Sequence, residues 1–516
     1  MRKVKKLMML ALAGVMMTST LLAGCNSSGK TSSNSTNGGK GTLKEVELSF
    51  YFPNTPQKDI QAVQDALNKL VKPKINATIK LNLVDWGAYD QKMNMMMGAG
   101  EEFDLCFTAT WANNFYQNAA KGTLKDIDKL LEQYAPKTKA LVPENLWKAV
   151  KVGGKTYAVP NFQQAAAGYG YLVQKPIADK YKFDWKAPKK WEDLTPLLEQ
   201  VKKGEPNMVP YEYCKKSDPF LTGTMLYGME ALGEAKIPGW IYINDNSLKV
   251  VNQYDTPEFK NYIKLMRDWY QKGYIRKEAS TIEDTAADRK AGKNAVQFGQ
   301  IDIGTTDWDK LGLPSQGRMF APSGIESYDQ KFVEPVLTTD KAAASLIGIS
   351  STSKNPERAM MFIELLNTDP EIYNTLCWGV EGKHYKKVGT NRIETLKDGG
   401  YQIWSAWEFG YMGNSYYDES WPKGVEADNK GHKAWIDINK SATPSPALGF
   451  VFNADKVKTE VANCNNVIDQ LFYAISTGSV DPDKYLPELN AKLKTAGLDK
   501  VLAEKQAQLD AWKKAK

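Results

Sequence analysis

Five stretches of the chain carry side chains suited to recognising a small molecule. Trp86 closes "LNLVDW", and Trp111 closes "FDLCFTATW" just before Asn113 and Asn114. Phe162, Gln163 and Gln164 follow "KTYAVPN". Trp378, Glu381 and His384 stand in the glycine-broken "CWGVEGKHY". The densest stretch is "IWSAWEFGYMGNSYYDESW" (403–421), where Trp404, Trp407, Phe409, Tyr411, Tyr416, Tyr417 and Trp421 alternate with Glu408, Asn414 and Asp418. Little helical or strand period survives there, so a simple core face does not explain it. Rings offer flat apolar faces, and amides and carboxylates offer paired hydrogen bonds. On a pre-formed concave surface the two together hold a polar molecule without altering it. The candidate contacts are Trp86, Trp111, Asn113, Phe162, Gln163, Trp378, Glu381, Trp407 and Asn414. Each has a plainer reading. Trp86, Trp111 and Trp378 would also pack under helices, Glu381 and His384 would also make local loop contacts, and Tyr157 reads as structural.

Catalytic chemistry finds little support. No G-x-S-x-G elbow, phosphate-binding P-loop or H-E-x-x-H is present. Two histidines among 516 residues leave little general-base chemistry. A glycoside hydrolase would need two carboxylates ~5–10 Å apart across a cleft. With 60 acidic residues, composition neither supplies nor denies that pair. Cys106, Cys214, Cys377 and Cys464 are widely spaced without a C-x-x-C, so zinc is not expected and buried small apolar residues are. A disulfide between two of them stays open. The formal charge of +7 falls to +3 without the four basic residues of the extreme N-terminus (7 − 4). No dense basic stripe appears, so nucleic acid is not a partner. No cofactor or metal is implied.

The elements around these residues alternate in type. "EVELSFYF" (45–52), "ATIKLNLVDW" (77–86) and "FDLCFTATW" (103–111) read as strands. Between them lie a helix with Ile60, Val63, Leu67, Leu70 and Val71 inward, stopped by Pro73, and a Met-rich helix with Tyr89, Met93, Met96 and Met97 inward. This order predicts a parallel sheet covered by helices, whose ligands bind beyond the carboxyl ends of its strands. Trp86 and Trp111 sit at two such ends. "GKTYAVPNFQQAAAGYGYLVQ" (154–174) reads as a passage between domains, with a return near 340–350. The helix in "DTPEFKNYIKLMRDWYQKGYI" has Phe259, Tyr262, Ile263, Met266 and Tyr270 as its inner face. The segment from about 455 to 514 is helical, and Val501, Leu502, Leu509 and Trp512 share a side with the stem of Lys505.

At the N-terminus, "MRKVKKLMMLALAGVMMTSTLLAGC" joins a basic region to an apolar run too short to span a membrane. Leu22-Ala23-Gly24-Cys25 resembles the lipobox of bacterial lipoproteins, in which the cysteine is acylated and becomes the first residue. Residues 26–42 contain only Ser, Thr, Asn, Gly and Lys, which cannot offset ordering entropy and suit a flexible tether.

Several stretches in series resemble the extracellular solute-binding lipoproteins of bacterial ABC importers. They are this leader, "GEEFDLCFTATW", "WKAVKVGGKTYAVPNFQ", "WYQKGYIRKEA", "SKNPERAMMFIELLNTDPEIYNTLCWGVEGKHY" and "VKTEVANCNNVIDQLF" with its helical sequel. The nearest resemblance is to the LplA-like group with an extra C-terminal domain of unknown function. It implies a two-lobed α/β fold, periplasmic-binding-protein-like, with a hinge and a helical C-terminal extension. It also implies a monomer tethered by lipid to the outer face of the cell membrane, handing a small solute to an ABC permease. The wider family implies an oligosaccharide; a peptide solute is the alternative. The expected division is 1–24 signal peptide, 25–43 lipidated Cys25 and tether, 44–157 with about 300–350 as one lobe, 158–299 with about 351–440 as the other, and 441–516 as a C-terminal helical domain packed on a lobe.

Overall fold

A computed structural model describes residues 43–515 except 302, 304–317, 321–324, 404–405, 420 and 422. The leader, Cys25 and Trp404 lie outside the described residues. Two sheets organise the body. The first runs, in spatial order, Ala77–Val84, Val46–Pro53, Leu105–Thr108, Leu346–Ile349 and Ala158–Pro160. Its first three strands are parallel, as the β-α-β-α-β pattern requires, and Leu346–Ile349 is antiparallel to both neighbours. The Met-rich helix, Tyr89–Ala99, buries Tyr89, Met93, Met96 and Met97 against this sheet. The first helix, Ile60–Ile75, runs through Pro73 instead of stopping there, because Pro73 falls in its last turn and costs a single backbone bond. Asn76 ends it at φ 44°.

The second sheet runs Arg318–Phe320, Ile325–Leu337, Ala167–Gln174, Asn294–Ile301 and Val209–Tyr211, with Thr443–Pro444 added beside Val336 and Leu337. Helix Pro257–Gln271 packs on this lobe. Thr256 caps it by accepting from the Phe259 N–H, and its buried face is Phe259, Tyr262, Ile263, Met266 and Trp269. Trp269 takes the place expected for Tyr270.

Each lobe is built from two separated stretches of chain, and the boundaries differ from those expected. The first core gathers residues such as Phe50, Phe107 and Val159 with Phe362, Ile363, Ile372, Leu376 and Trp435. Residues 351–440 therefore belong with the first lobe, not the second. The reason is local. Leu346–Ile349 has joined the first sheet, and the short link 350–355 returns helix Pro356–Thr368 onto that same sheet. Strand Ile325–Leu337, expected in lobe 1, lies in the second sheet. Residues 441–516 pack on the second lobe. Helices Lys458–Ser476 and Pro482–Ala496 insert Cys464, Ile468, Phe472, Ile475, Leu489 and Leu493 into the second core.

Buried polar groups bind these C-terminal helices to the second lobe. Asp218, wholly buried, accepts from Ser476 Oγ and Tyr213 Oη. Lys505 is buried to its amine, which donates to Gly239 O at 3.0 Å and lies over the Phe452 ring. Desolvation pulls its pKa down to about 7. The four cysteines Cys106, Cys214, Cys377 and Cys464 are free and buried.

Among the described residues, three segments link strands or helices of one lobe to those of the other. The first, 161–166, joins Ala158–Pro160 to Ala167–Gln174. The second, 338–345, joins Ile325–Leu337 to Leu346–Ile349 and holds the short helix Thr339–Ala342. They overlap the passage read over 154–174 and the return read near 340–350. The third follows helix Lys430–Ser441 through Thr443–Pro444 and was not expected from the sequence. Thr339 stitches the second to the third: Thr339 Oγ1 donates to Ala447 O and accepts from the Gly449 N–H.

Candidate functional site

Parallel strands end on one edge, so Trp86 and Trp111 emerge on the same side of the first sheet, flanking the end of Val46–Pro53. Two strand spacings separate them, ~10 Å. The middle strand closes that gap. Asn54, the next residue, donates through Nδ2 to Ile403 O at 3.0 Å. Phe409 packs edge-on against Phe52, with centroids 5.0 Å apart. These two contacts draw the aperiodic 403–421 segment across the sheet edge and deliver Trp407 to the pair.

The result is a tight platform of rings. Trp86 lies 5.8 Å from Trp111 and 6.3 Å from Trp407, each at an interplanar angle of 26°. Trp111 and Trp407 are 6.0 Å apart. Phe107, wholly buried, supports both at 5.8 and 5.9 Å. Trp111 is aimed by its Nε1, which donates to Ala344 O at 2.8 Å. Despite this packing Trp111 stays 50% exposed and Trp86 38% exposed, the two most exposed aromatic side chains among the large apolar residues described. Burying them only against each other would leave much of both rings in water, and such exposed apolar clusters mark binding surfaces. The rings offer apolar and π contact, with no reactive group among them. Burial pushes the nearby Cys106 thiol up to about 12, and no cluster of three metal-ligating residues occurs among the described residues.

The other predicted residues lie within the fold's own bonding. Asn113 is buried at φ 44°, and its Nδ2 donates to Phe107 O at 2.9 Å. It shapes the turn that presents Trp111. Phe162 stacks on Tyr411 at 5.4 Å and meets Trp435 edge-on. Gln163 is half-buried in the first crossing, and its carbonyl accepts from Asn439. Trp378 donates from Nε1 to Ser415 Oγ at 3.1 Å. Glu381 pairs with Lys387 at 2.9 Å on an exposed hairpin. His384 is buried, accepting from the Val380 N–H. Asn414 holds the end of helix Pro356–Thr368 through Asn367 O at 3.0 Å. Three of the nine candidates thus share one platform: Trp86, Trp111 and Trp407. Sequence reading passed over Phe107 and Asn54. Phe107 lies in the strand that Trp111 follows, and Asn54 directly follows the strand between the two that end in tryptophan.

Two sheets, separate cores, three crossings and an aromatic edge define a two-lobed binding protein. Residues 54–371 match the family described as bacterial extracellular solute-binding protein, and residues 446–514 match a domain of unknown function, DUF3502. The chain belongs to the bacterial extracellular solute-binding proteins. It is 31% identical over 516 residues, 96% of each chain, to a carbohydrate ABC transporter substrate-binding protein of Streptococcus pneumoniae serotype 4. Among solved structures it is similar to the N-glycan transport solute-binding protein NgtS of S. pneumoniae, with TM-score 0.77 and 29% identity over 91% of this chain and 99% of that one. NgtS in complex with Man1GlcNAc overlays at 0.70, with 28% identity over 90% of this chain and 99% of that one. Its complex with Man5GlcNAc overlays at 0.66, with 29% identity over 92% and 99%.

Proposed function

We propose that this chain is the substrate-binding component of an ABC importer for oligosaccharides, and that it captures its glycan on the faces of Trp86, Trp111 and Trp407. One observation carries the reading: three tryptophans from separate segments converge at a strand edge, where Trp86 and Trp111 stay exposed and Trp407 is half-buried beside them. A pyranose has a face of C–H bonds that packs on such rings, and a rim of hydroxyls for neighbouring polar groups. The similar proteins bind carbohydrate by name, and the glycan complexes of NgtS make a mannose- and GlcNAc-containing oligosaccharide the first candidate.

Capture proceeds by lobe closure about the three crossings. A glycan touching both lobes only when they are closed shifts the population towards that state. The fall in TM-score from 0.77 to 0.66 when NgtS carries Man5GlcNAc, at near-constant coverage, supports lobes whose angle depends on ligand. Cys25 anchors the chain by lipid, and the tether keeps the body beside its permease at the outer membrane face. Replacing Cys25 with alanine then moves the protein from the membrane fraction to the medium.

The deciding experiment is a thermal-shift screen of Man5GlcNAc, other oligosaccharides and di- to pentapeptides. A ligand at 100 times its Kd adds ~2.7 kcal/mol. Stabilisation by peptides alone, or hydrolysis of a glycan over hours, refutes the proposal.

A further inference from the structure

Trp111 and Trp407 hang from neighbouring residues of one crossing. Trp111 Nε1 donates to Ala344 O, and the Trp407 carbonyl accepts from Ser345 Oγ at 2.8 Å. Ala344 and Ser345 end the segment 338–345, just before strand Leu346–Ile349. Asn161 begins the other crossing, 161–166, directly after Ala158–Pro160. Its backbone N–H donates to Ser345 O at 3.0 Å. Its Nδ2 donates to Ser345 Oγ at 2.9 Å and to Glu408 O at 2.6 Å. Its Oδ1 accepts from the Gly410 N–H at 2.7 Å. One amide therefore ties together the start of the first crossing, the end of the second, and the backbone on either side of Phe409, two residues beyond Trp407. Asn161 is 4% and Ser345 3% exposed, so water does not compete for these bonds.

We infer that Asn161 and Ser345 are positioning residues that join the hinge to the aromatic platform, so that lobe angle and ring arrangement change as one. The inference rests on the glycan-binding reading above. Any rotation that moves the backbone at 344–345 moves the support of Trp111 and Trp407 directly, while Trp86, on its own strand end, is not tied to either crossing by these bonds. The angle between the movable rings and Trp86 therefore reports the lobe angle. Only the closed arrangement presents all three faces in register to a glycan. A packed, hydrogen-bonded assembly switches between discrete arrangements instead of deforming smoothly.

The test uses the mature chain with Man5GlcNAc as probe, reading affinity by calorimetry and compaction by small-angle scattering. Asn161→Ala and Ser345→Ala are expected to weaken binding on the order of tenfold and to reduce the compaction at saturating glycan. Ser345→Thr keeps the hydroxyl and restores both. Trp86→Ala weakens binding but leaves compaction at saturation intact, because it lies outside the clasp. A lower melting temperature in the alanine variants, with affinity and compaction unchanged, overturns the inference and leaves these residues a purely structural role. Compaction lost equally in Ser345→Thr also overturns it. A wild-type chain that binds no glycan instead refutes the proposed function.

Discussion

Trp111→Ala is the sharpest test of the platform. A tryptophan presents roughly 200 Å² in contacts. Half of Trp111 is already covered by Trp86, Phe107 and Trp407, and 50% remains exposed. About 100 Å² is thus left for a ligand, worth at most ~2.5 kcal/mol at ~25 cal/mol/Å². A sugar covers only part of a ring, so about 1.5 kcal/mol is a fair expectation, or a Kd raised roughly tenfold. The substitution also removes the Nε1 bond to Ala344 O and the ring contacts, at a cost to folding of about 2 kcal/mol. Calorimetric titration with an oligosaccharide separates the two effects, because affinity is read on the folded fraction. Trp111→Phe keeps a ring face but loses the donor and should fall between wild type and Trp111→Ala. If Trp111→Ala binds within twofold of wild type while remaining folded, the exposed ring faces are not the contact surface.

Other outcomes follow from the same geometry. Asn414→Ala unpairs Asn367 O and should lower stability by about 1–2 kcal/mol in denaturant melts, with glycan affinity unchanged. Glu230 is buried against Ser445 Oγ in the third crossing, and burial raises its pKa to about 7. Between the unfolded carboxyl value near 4.5 and about 7, the unfolded chain releases a proton that the native chain keeps, so this group takes stability away as pH rises. His432, neutral and buried with its pKa lowered to about 4, acts oppositely between about 4 and 6.5, and the buried carboxyls of Glu212 and Asp218 are also raised, so the wild-type curve sums several groups. Melting temperatures of Glu230→Gln minus wild type should therefore climb across pH 4.5–7 and level off above; a flat difference would dismiss Glu230 as the source. Deleting 446–516 strips Phe472, Ile475, Leu489 and Leu493 from the second core and should leave the protein in the pellet, or in the void volume on size-exclusion chromatography. A soluble, folded truncation would mean that those helices are dispensable.

The sequence revealed the first sheet because its strands alternate or run apolar and its helices keep a clean 3.6-residue face. It revealed Trp86 and Trp111 for a topological reason, since parallel strands deliver their ends to one edge. Trp407 stood out because its segment lacked any period that burial would explain. Polar candidates were harder to place. The amides of Asn113 and Asn414 look alike in sequence, and only tertiary structure shows that each is spent on a backbone carbonyl. The lobe boundaries were hidden because helix Pro356–Thr368 has an apolar face that fits either sheet. The direction of the preceding strand decides which one it meets. Asn161 was invisible as a clasp, because its partners Ser345, Glu408 and Gly410 lie far along the chain.

The interleaving of the two cores bears on how the molecule comes into being. Strand Val46–Pro53 opens the first core, yet helices Pro356–Thr368 and Lys430–Ser441 must arrive before that core is full. The second core is finished later still, by helices of the final 60 residues or so. A polypeptide threaded outward from its amino end therefore cannot complete either half while its remainder is still in transit. Maturation waits for the last helices, and until they dock both unfinished apolar surfaces stay exposed and prone to aggregate.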